Sequence, residues 1–188
     1  MLPIVERRSL ELLQFYMPGN PYLDSGDIQV VVSLIYNMSA NVVIEFGCNT
    51  GRTAKAVLDN VASIKRYIGI DVPSDHTASL KCQQKEVPAR AGVYCDDRRF
   101  QLMLGDSYYL KTTDLPPCDA AFIDGDHSRV GVLHDSMLAH DRVRQGGIVI
   151  WHDYGNDSVE VTEVLDDLHD KGWPIVQLEN SWLAFMRR

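Results

Sequence analysis

The stretch VVIEFGCNTGRTAKAVLDN, residues 42–60, decides how the rest of the chain is read. A β-branched apolar run ends in Glu45 and Phe46, glycines follow at 47 and 51, and a helical pattern begins. That is a buried strand, a tight turn and a helix in succession. Gly47 and Gly51 let backbone come close to a ligand, and the helix starting near Gly51 offers unpaired N–H groups. The dinucleotide fingerprint needs a glycine where Asn49 stands and another three residues beyond it. No Gly-Lys-Ser/Thr follows, so the loop is not a P-loop either. Glu45 is ill suited to a pyrophosphate and well suited to a cation. The loop therefore points to a ligand with an ammonium or sulfonium group.

Working outward, the chain upstream carries IVERRSLELLQFY (4–16), whose apolar spacing predicts an amphipathic helix. PGNPYLDSGD (18–27) breaks it, and IQVVVSLIYNM (28–38) reads as a second helix. Downstream, strands and helices alternate. RYIGID (66–71), FQLMLGD (100–106), DAAFID (119–124) and GGIVIW (146–151) read as strands. ASLKCQQKEV (78–87), VGVLHDSMLAHDRV (130–143) and VEVTEVLDDLHD (159–170) read as helices, the second with Val130, Leu133, Met137 and Leu138 on one face. PIVQLE (174–179) and WLAFMR (182–187) close the chain as strands so nearly adjacent that they must pair antiparallel. The expectation is an α/β, doubly wound, mostly parallel seven-stranded sheet with an antiparallel C-terminal hairpin. With 188 residues and no linker or repeat, one domain spans 1–188. Within it, residues 1–40 form an N-terminal helical cap and 41–188 the core; the first helix is equally a candidate homodimer face.

The composition is that of a soluble globular domain, 45% hydrophobic and 23% charged, with a formal net charge of −8. An acidic balance argues against a nucleic-acid partner, and no apolar run reaches the ~18 residues of a membrane span. The N-terminus lacks the apolar centre of a signal peptide. Cys48, Cys82, Cys95 and Cys118 show neither a CxxC pair nor zinc spacing, which reads as reduced thiols in a cytoplasmic protein.

Open α/β sheets bind ligands at the carboxyl ends of their strands. There the first strand offers Glu45, Gly47, Asn49, Gly51 and Thr53. The second ends in Asp71, a carboxylate able to accept two hydrogen bonds from a ribose diol. The third ends in Gly105, Asp106 and Ser107, where Asp106 can accept from an adenine amino group. Taken singly, each acid equally suits the plain role of capping the helix that follows.

In order, EFGCNTG, IGID, LGDS, AFIDGDHS and GGIVIWHDY resemble the successive motifs of class I S-adenosylmethionine-dependent methyltransferases, above all small O-methyltransferase-like families with IDGDHS and GGxxxxHDY. The resemblance covers roughly residues 40–187 and implies a Rossmann-like methyltransferase fold whose reversed last strand inserts beside the fifth. It also implies S-adenosylmethionine as donor, its methionine part on the 45–53 loop with Glu45 near the charged end, and a small-molecule methyl acceptor.

Asp124, Asp126 and His127 follow the fourth strand, and His152, Asp153 and Tyr154 the fifth. Adjacent strand ends would bring them together over the donor methyl. Two chemistries fit: a histidine, His127 or His152, as base, or a divalent ion, Mg²⁺ or Mn²⁺, on the acceptor oxygen. In the metal-dependent catechol-type enzymes an Asp after strand four and an Asp-Asn pair after strand five bind the ion. Asp124 and Asp153 match two of these positions, Tyr154 is a poor third, and His152 or Asn156 can substitute. Those enzymes place a Lys where His127 stands. The catalytic candidates are thus Asp124, His127, His152 and Asp153; the metal candidates are Asp124, His152 and Asp153; and Asp124 also borders the donor. His134, His140 and His169 lie in helical patterns and read as solvated, Trp151 reads as core, and Tyr108 and Tyr109 suit the adenine or simple packing. The alternatives are a donor-binding subunit without catalysis and a nucleotide-cofactor oxidoreductase, the latter disfavoured by the missing glycine and by Glu45.

Overall fold

The computed structural model describes residues 1–15, 25–77 and 87–188. Its strands are β1 (Ile4–Val5), β2 (Val42–Phe46), β3 (Arg66–Asp71), β4 (Phe100–Leu104), β5 (Cys118–Ile123), β6 (Val143–Trp151), β7 (Val176–Leu178) and β8 (Ala184–Arg187). The helices are α1 (Ser25–Asn37), α2 (Arg52–Asn60), α3 (Arg129–Arg142) and α4 (Val161–Asp170). One sheet runs in the order β1-β7-β8-β6-β5-β2-β3-β4. Pairing is parallel except where β8 lies antiparallel to both β6 and β7. This is the expected doubly wound sheet with a reversed strand inserted beside the fifth strand of the parallel set. The strand order reverses between β2 and β5, and at such a switch point the loops leaving the two strands diverge and open a crevice.

The sheet has eight strands, not seven, and the eighth corrects the reading of the N-terminus. Ile4–Val5 pairs parallel with β7, where Gln177 and Glu179 donate to the carbonyls of Pro3 and Val5. A single 3₁₀ turn at Arg7–Ser9 follows, and residues 10–15 are irregular. The apolar spacing that suggested a helix is satisfied otherwise. Leu10, Leu12, Leu13 and Phe15 pack against the core on the α1 side. Side chains of α1 take over the backbone groups that a helix would have paired. Ser33 Oγ accepts from Leu13 N, while Gln29 and Asn37 donate to the carbonyls of Leu13 and Glu11. The α-helix expected here is therefore absent among residues 4–15. Of the helix expected at 78–87, all but Val87 lies outside the described residues, as does Cys82.

Both faces of the sheet are covered. On one side α1 buries Ile28, Val30, Val31, Val32 and Ile35 together with Ala54, Val57 and Leu58 of α2. On the other, α3 and α4 pack over Ile44, Phe46, Ala121, Val149 and Trp151. Trp151 is fully buried, as expected, and its indole N–H donates to Ser136 Oγ, which donates on to Val132 O. The face expected for α3 is corrected: Val130, Leu133 and Met137 point to solvent. The sheet-facing side is instead Gly131, Val132, Asp135, Ser136, Leu138 and Ala139. It contains two polar residues, which is why apolar periodicity misplaced it. No helix among the described residues is long and apolar enough to cross a membrane, and Cys48, Cys95 and Cys118 are buried free thiols.

Candidate active site

The loop after β2 is built mainly by backbone. Gly47 N and Cys48 N both donate to Ile70 O, and Gly51 N donates to Cys48 O. Asn49 takes a left-handed conformation, φ 45°, with its side-chain oxygen accepting from Thr50 N. Gly47 and Gly51 also have positive φ. Their lack of a side chain serves packing first. A Cβ on Gly47 would fall 2.2 Å from the carbonyl oxygen of Asp124, and one on Gly51 would fall 3.0 Å from Gly92 Cα. Thr53 is buried in the first turn of α2.

Asp71 closes the loop from the side. Its carboxylate accepts from Asn49 N at 2.5 Å and Val72 N at 2.8 Å. Burial lifts its pKa to about 6 against those two hydrogen bonds. Asp106 caps a short 3₁₀ turn at Ser107–Tyr109 by accepting from Tyr108 N, so here the capping role is realised. Tyr108 and Tyr109 are exposed and stack edge to face. Glu45 departs from expectation. It is 1% exposed, and Tyr67 donates to it at 3.0 Å from the neighbouring strand. Burial pushes its pKa well above the usual carboxylate range, opposed by the Tyr67 hydrogen bond and reinforced by the charges of Asp124 and Asp71. Glu45 is thus a buried acid tied to the neighbouring strand.

The second half of the site is the turn after β5 together with the turn after β6. The main-chain ladder continues one step past each strand: Asp124 N donates to Phe46 O and His152 N to Ile123 O. His152 and Asp153 would point to opposite faces if β6 simply continued. Asp153 instead adopts φ 63°, a left-handed conformation that breaks the alternation. Both side chains then reach the same point. His152 Nδ1 lies 3.3 Å from Asp124 Oδ1 and 3.2 Å from Asp153 Oδ2. His127 Nε2 lies 3.1 Å from Asp153 Oδ2 and 3.6 Å from Asp124 Oδ1. That nitrogen is buried and none of its contacts is aligned as a hydrogen bond. Asn156 donates to the other oxygen of Asp153. Tyr154 turns away; its hydroxyl donates to Asp166 and accepts from Leu2 N.

Each acid and each ring in this cluster shifts the other. Burial alone would lower His127 and His152, but Asp124 and Asp153 outweigh it and raise them to about 10 and about 12. Burial would likewise raise Asp124 and Asp153, and the two histidines hold both below the ordinary carboxylate value instead. Without an ion, the two acids thus favour the charged, doubly protonated form of both rings.

A family described as a methyltransferase domain matches residues 44–154, more than half of the chain and the whole of the loop and cluster just described. The chain belongs to this methyltransferase domain family. An uncharacterised protein of Methanocaldococcus jannaschii is 26% identical over 182 residues, covering 92% of this chain and 74% of that protein. Among solved structures, the Podospora anserina methyltransferase PaMTH1, bound to S-adenosylhomocysteine, has a TM-score of 0.64 at 14% identity over 86% of this chain and 77% of its own. The O-methyltransferase of Bacillus cereus, in complex with the same compound, has a TM-score of 0.60 at 14% identity, covering 90% and 84%. At such identities the likeness is one of fold.

Two residues of this methyltransferase domain went unseen in the sequence. Asp27, in the first turn of α1, is 6% exposed and its Oδ2 lies 3.7 Å from His152 Nε2. It accepts from Trp182 N, whose ring stands edge-on to His152. Asp135 of α3 is 1% exposed, neither oxygen has an aligned hydrogen-bond partner, and it lies under the Asp124–Asp126 turn. Both sit far along the chain from the motifs and inside helical patterns, where an acid reads as solvated; only topology brings them in. His134 and His169 are half-buried beside the carbonyls of Leu110 and Trp173, and His140 stacks on Trp173, so none of the three is simply solvated. An open hollow of about 870 Å³ at the amino ends of β3 and β4, lined by Ile64, Lys65 and Arg99 among others, contains none of this chemistry.

The residues present fit a dication. Asp124, His152 and Asp153 each offer one ligand atom, all within 4.8 Å of one another. A dication between them would relieve the mutual repulsion of the acids and take the place of the proton on His152 Nδ1.

Proposed function

We propose that this domain transfers the methyl group of S-adenosylmethionine to an oxygen of a small molecule, with a divalent ion on Asp124, His152 and Asp153. What carries the reading is the meeting of the glycine loop and the acid–imidazole cluster at the β2/β5 switch point, where Gly47 abuts the Asp124 backbone. In this reading Asp71 accepts from the ribose diol, Asp106 and Ser107 border the adenine, and the loop from Gly47 to Thr53 cradles the methionine end. A dication held by Asp124, His152 and Asp153 would supply Lewis acidity that lowers the pKa of an acceptor hydroxyl. The acceptor's proton is given up to water. The oxygen lone pair forms the O–CH₃ bond as the C–S bond breaks. That electron pair stays on sulfur and leaves S-adenosylhomocysteine. His127, whose ring nitrogen lies 3.1 Å from Asp153 and 3.6 Å from Asp124, borders the acceptor side and orients the reacting oxygen. The site's task is alignment of donor carbon and acceptor oxygen.

Calorimetry checks the donor: S-adenosylhomocysteine binds and NAD does not, and the reverse result overturns the reading. Methyl-labelled donor, incubated with a mixture of small phenols, carboxylic acids and sugars, places label in an O-methyl product. EDTA stops this transfer and Mn²⁺ restores it. Donor binding without any transfer would favour the non-catalytic subunit, and full transfer in EDTA would remove the ion from the mechanism.

A further inference from the structure

We infer that the cluster is a mixed nitrogen–oxygen site selecting a first-row transition dication over Mg²⁺, and that Asp27 of α1 is the residue positioning His152 for it. This rests on the ion reading proposed above. The donor set is the first argument. Mg²⁺ prefers a shell of oxygens, much of it water, whereas imidazole suits the transition ions. His152, only 4% exposed, aims Nδ1 between Asp124 and Asp153 at 3.3 and 3.2 Å. No all-oxygen set of the same three positions exists unless that ring leaves, and it is packed in place beside Trp182.

The tautomer is the second argument. For Nδ1 to offer its lone pair, the ring proton must sit on Nε2. Nε2 faces Asp27 Oδ2 at 3.7 Å, a separation that closes to a hydrogen bond with a small ring rotation. Asp27 is itself fixed by the Trp182 backbone N–H at 3.3 Å. A carboxylate behind the distal nitrogen of a metal-ligating imidazole both sets its tautomer and raises its basicity. The left-handed Asp153, an unfavourable conformation for a residue with a side chain, keeps the third ligand on the same side as the ring.

The test uses the full chain freed of metal by chelator and dialysis. Titration calorimetry with MnCl₂ and MgCl₂ is expected to give Mn²⁺ binding at least about tenfold tighter. Pulsed electron paramagnetic resonance of the Mn²⁺ form is expected to show coupling to an imidazole nitrogen, lost in His152→Ala. Asp27→Asn is expected to weaken Mn²⁺ by about 10–100-fold while leaving S-adenosylhomocysteine affinity unchanged. Equal affinity for Mg²⁺, or bound Mn²⁺ with no nitrogen coupling in the parent chain, overturns the nitrogen site and leaves the ion reading standing. Unaltered Mn²⁺ affinity in Asp27→Asn overturns the role of Asp27. Failure of every dication to bind overturns the ion reading itself.

Discussion

Asp135→Asn should stabilise the protein increasingly as pH rises. The Asp135 carboxyl is buried without an aligned partner, and its pKa is pushed up to about 7, first by burial, with the charges of Asp126 and Asp106 adding and the nearby Ser107 hydroxyl opposing. The unfolded value is 3.8. Between these two values the native state binds the proton more tightly than the unfolded chain does. The stability it contributes is therefore present at low pH and lost as pH climbs through about 7. At 1.36 kcal/mol per unit, a rise of about three units corresponds to roughly 4 kcal/mol over the whole window, and roughly 2–3 kcal/mol between about pH 5 and pH 8.

The asparagine amide does not titrate. Any cost from leaving it imperfectly hydrogen-bonded, about 1–3 kcal/mol, is the same at every pH. The quantity to follow is thus the gap between variant and parent, because it cancels the titration of Asp71, Asp124 and the histidines. For a chain of this length roughly 2–3 kcal/mol corresponds to a melting-point gap that widens by about 5–10 °C. Circular dichroism melts or urea titrations of both proteins at the two pH values measure it. A gap that stays constant, or that closes with rising pH, would refute the assignment of an unpaired acid to this position.

Three further outcomes follow from the same contacts. Asp71→Ala should weaken S-adenosylhomocysteine by about 1–3 kcal/mol through lost charge-assisted hydrogen bonds; parent affinity should also fall below about pH 6, where Asp71 protonates, and calorimetry at matched ionic strength reads both, pH-independent binding counting against the role. Gly47→Val should abolish donor binding and lower the melting point together, since its Cβ would meet backbone at 2.2 Å; normal binding with unchanged stability would show the contact to be relaxed at no cost. Tyr67→Phe leaves Glu45 buried without its hydrogen bond and should destabilise by about 1–3 kcal/mol, which an unaltered urea midpoint would contradict.

Much of the fold was legible because its signals are local. β-branched runs marked Val42–Phe46 and Arg66–Asp71 to the residue or nearly so, and the short link before Trp182 fixed the hairpin's direction. The N-terminus misled for a physical reason: Leu10, Leu12, Leu13 and Phe15 have apolar partners that α1 provides from a distance, so their spacing mimics a helix without forming one. Asp124, His127, His152 and Asp153 were grouped correctly because they leave neighbouring parallel strands, and parallel pairing puts such ends side by side. What single residues do within the group was not legible. Glu45 reads as a counter-charge until the neighbouring strand supplies Tyr67, and Gly47 reads as room for a ligand until the next loop fills that room.

That last contact bears on how the reaction proposed here would be aligned. The donor loop and the acceptor-side turn are not two walls set apart by a flexible crevice. Gly47 rests on the Asp124 carbonyl, Asp124 N donates to Phe46 O one residue before Gly47, and His152 N donates to Ile123 O one residue before Asp124. Each loop thus begins from a main-chain hydrogen bond to the previous one, so a shift in any of them moves the others. In-line methyl transfer depends on holding carbon and oxygen within a few tenths of an ångström of the attacking geometry, and a misplacement of about 1 Å can cost on the order of 10²-fold in rate. A ladder of backbone contacts between the three loops supplies that precision. Among the described residues, α1 reaches the cluster through Asp27, which lies 3.7 Å from His152 Nε2 and accepts from Trp182 N.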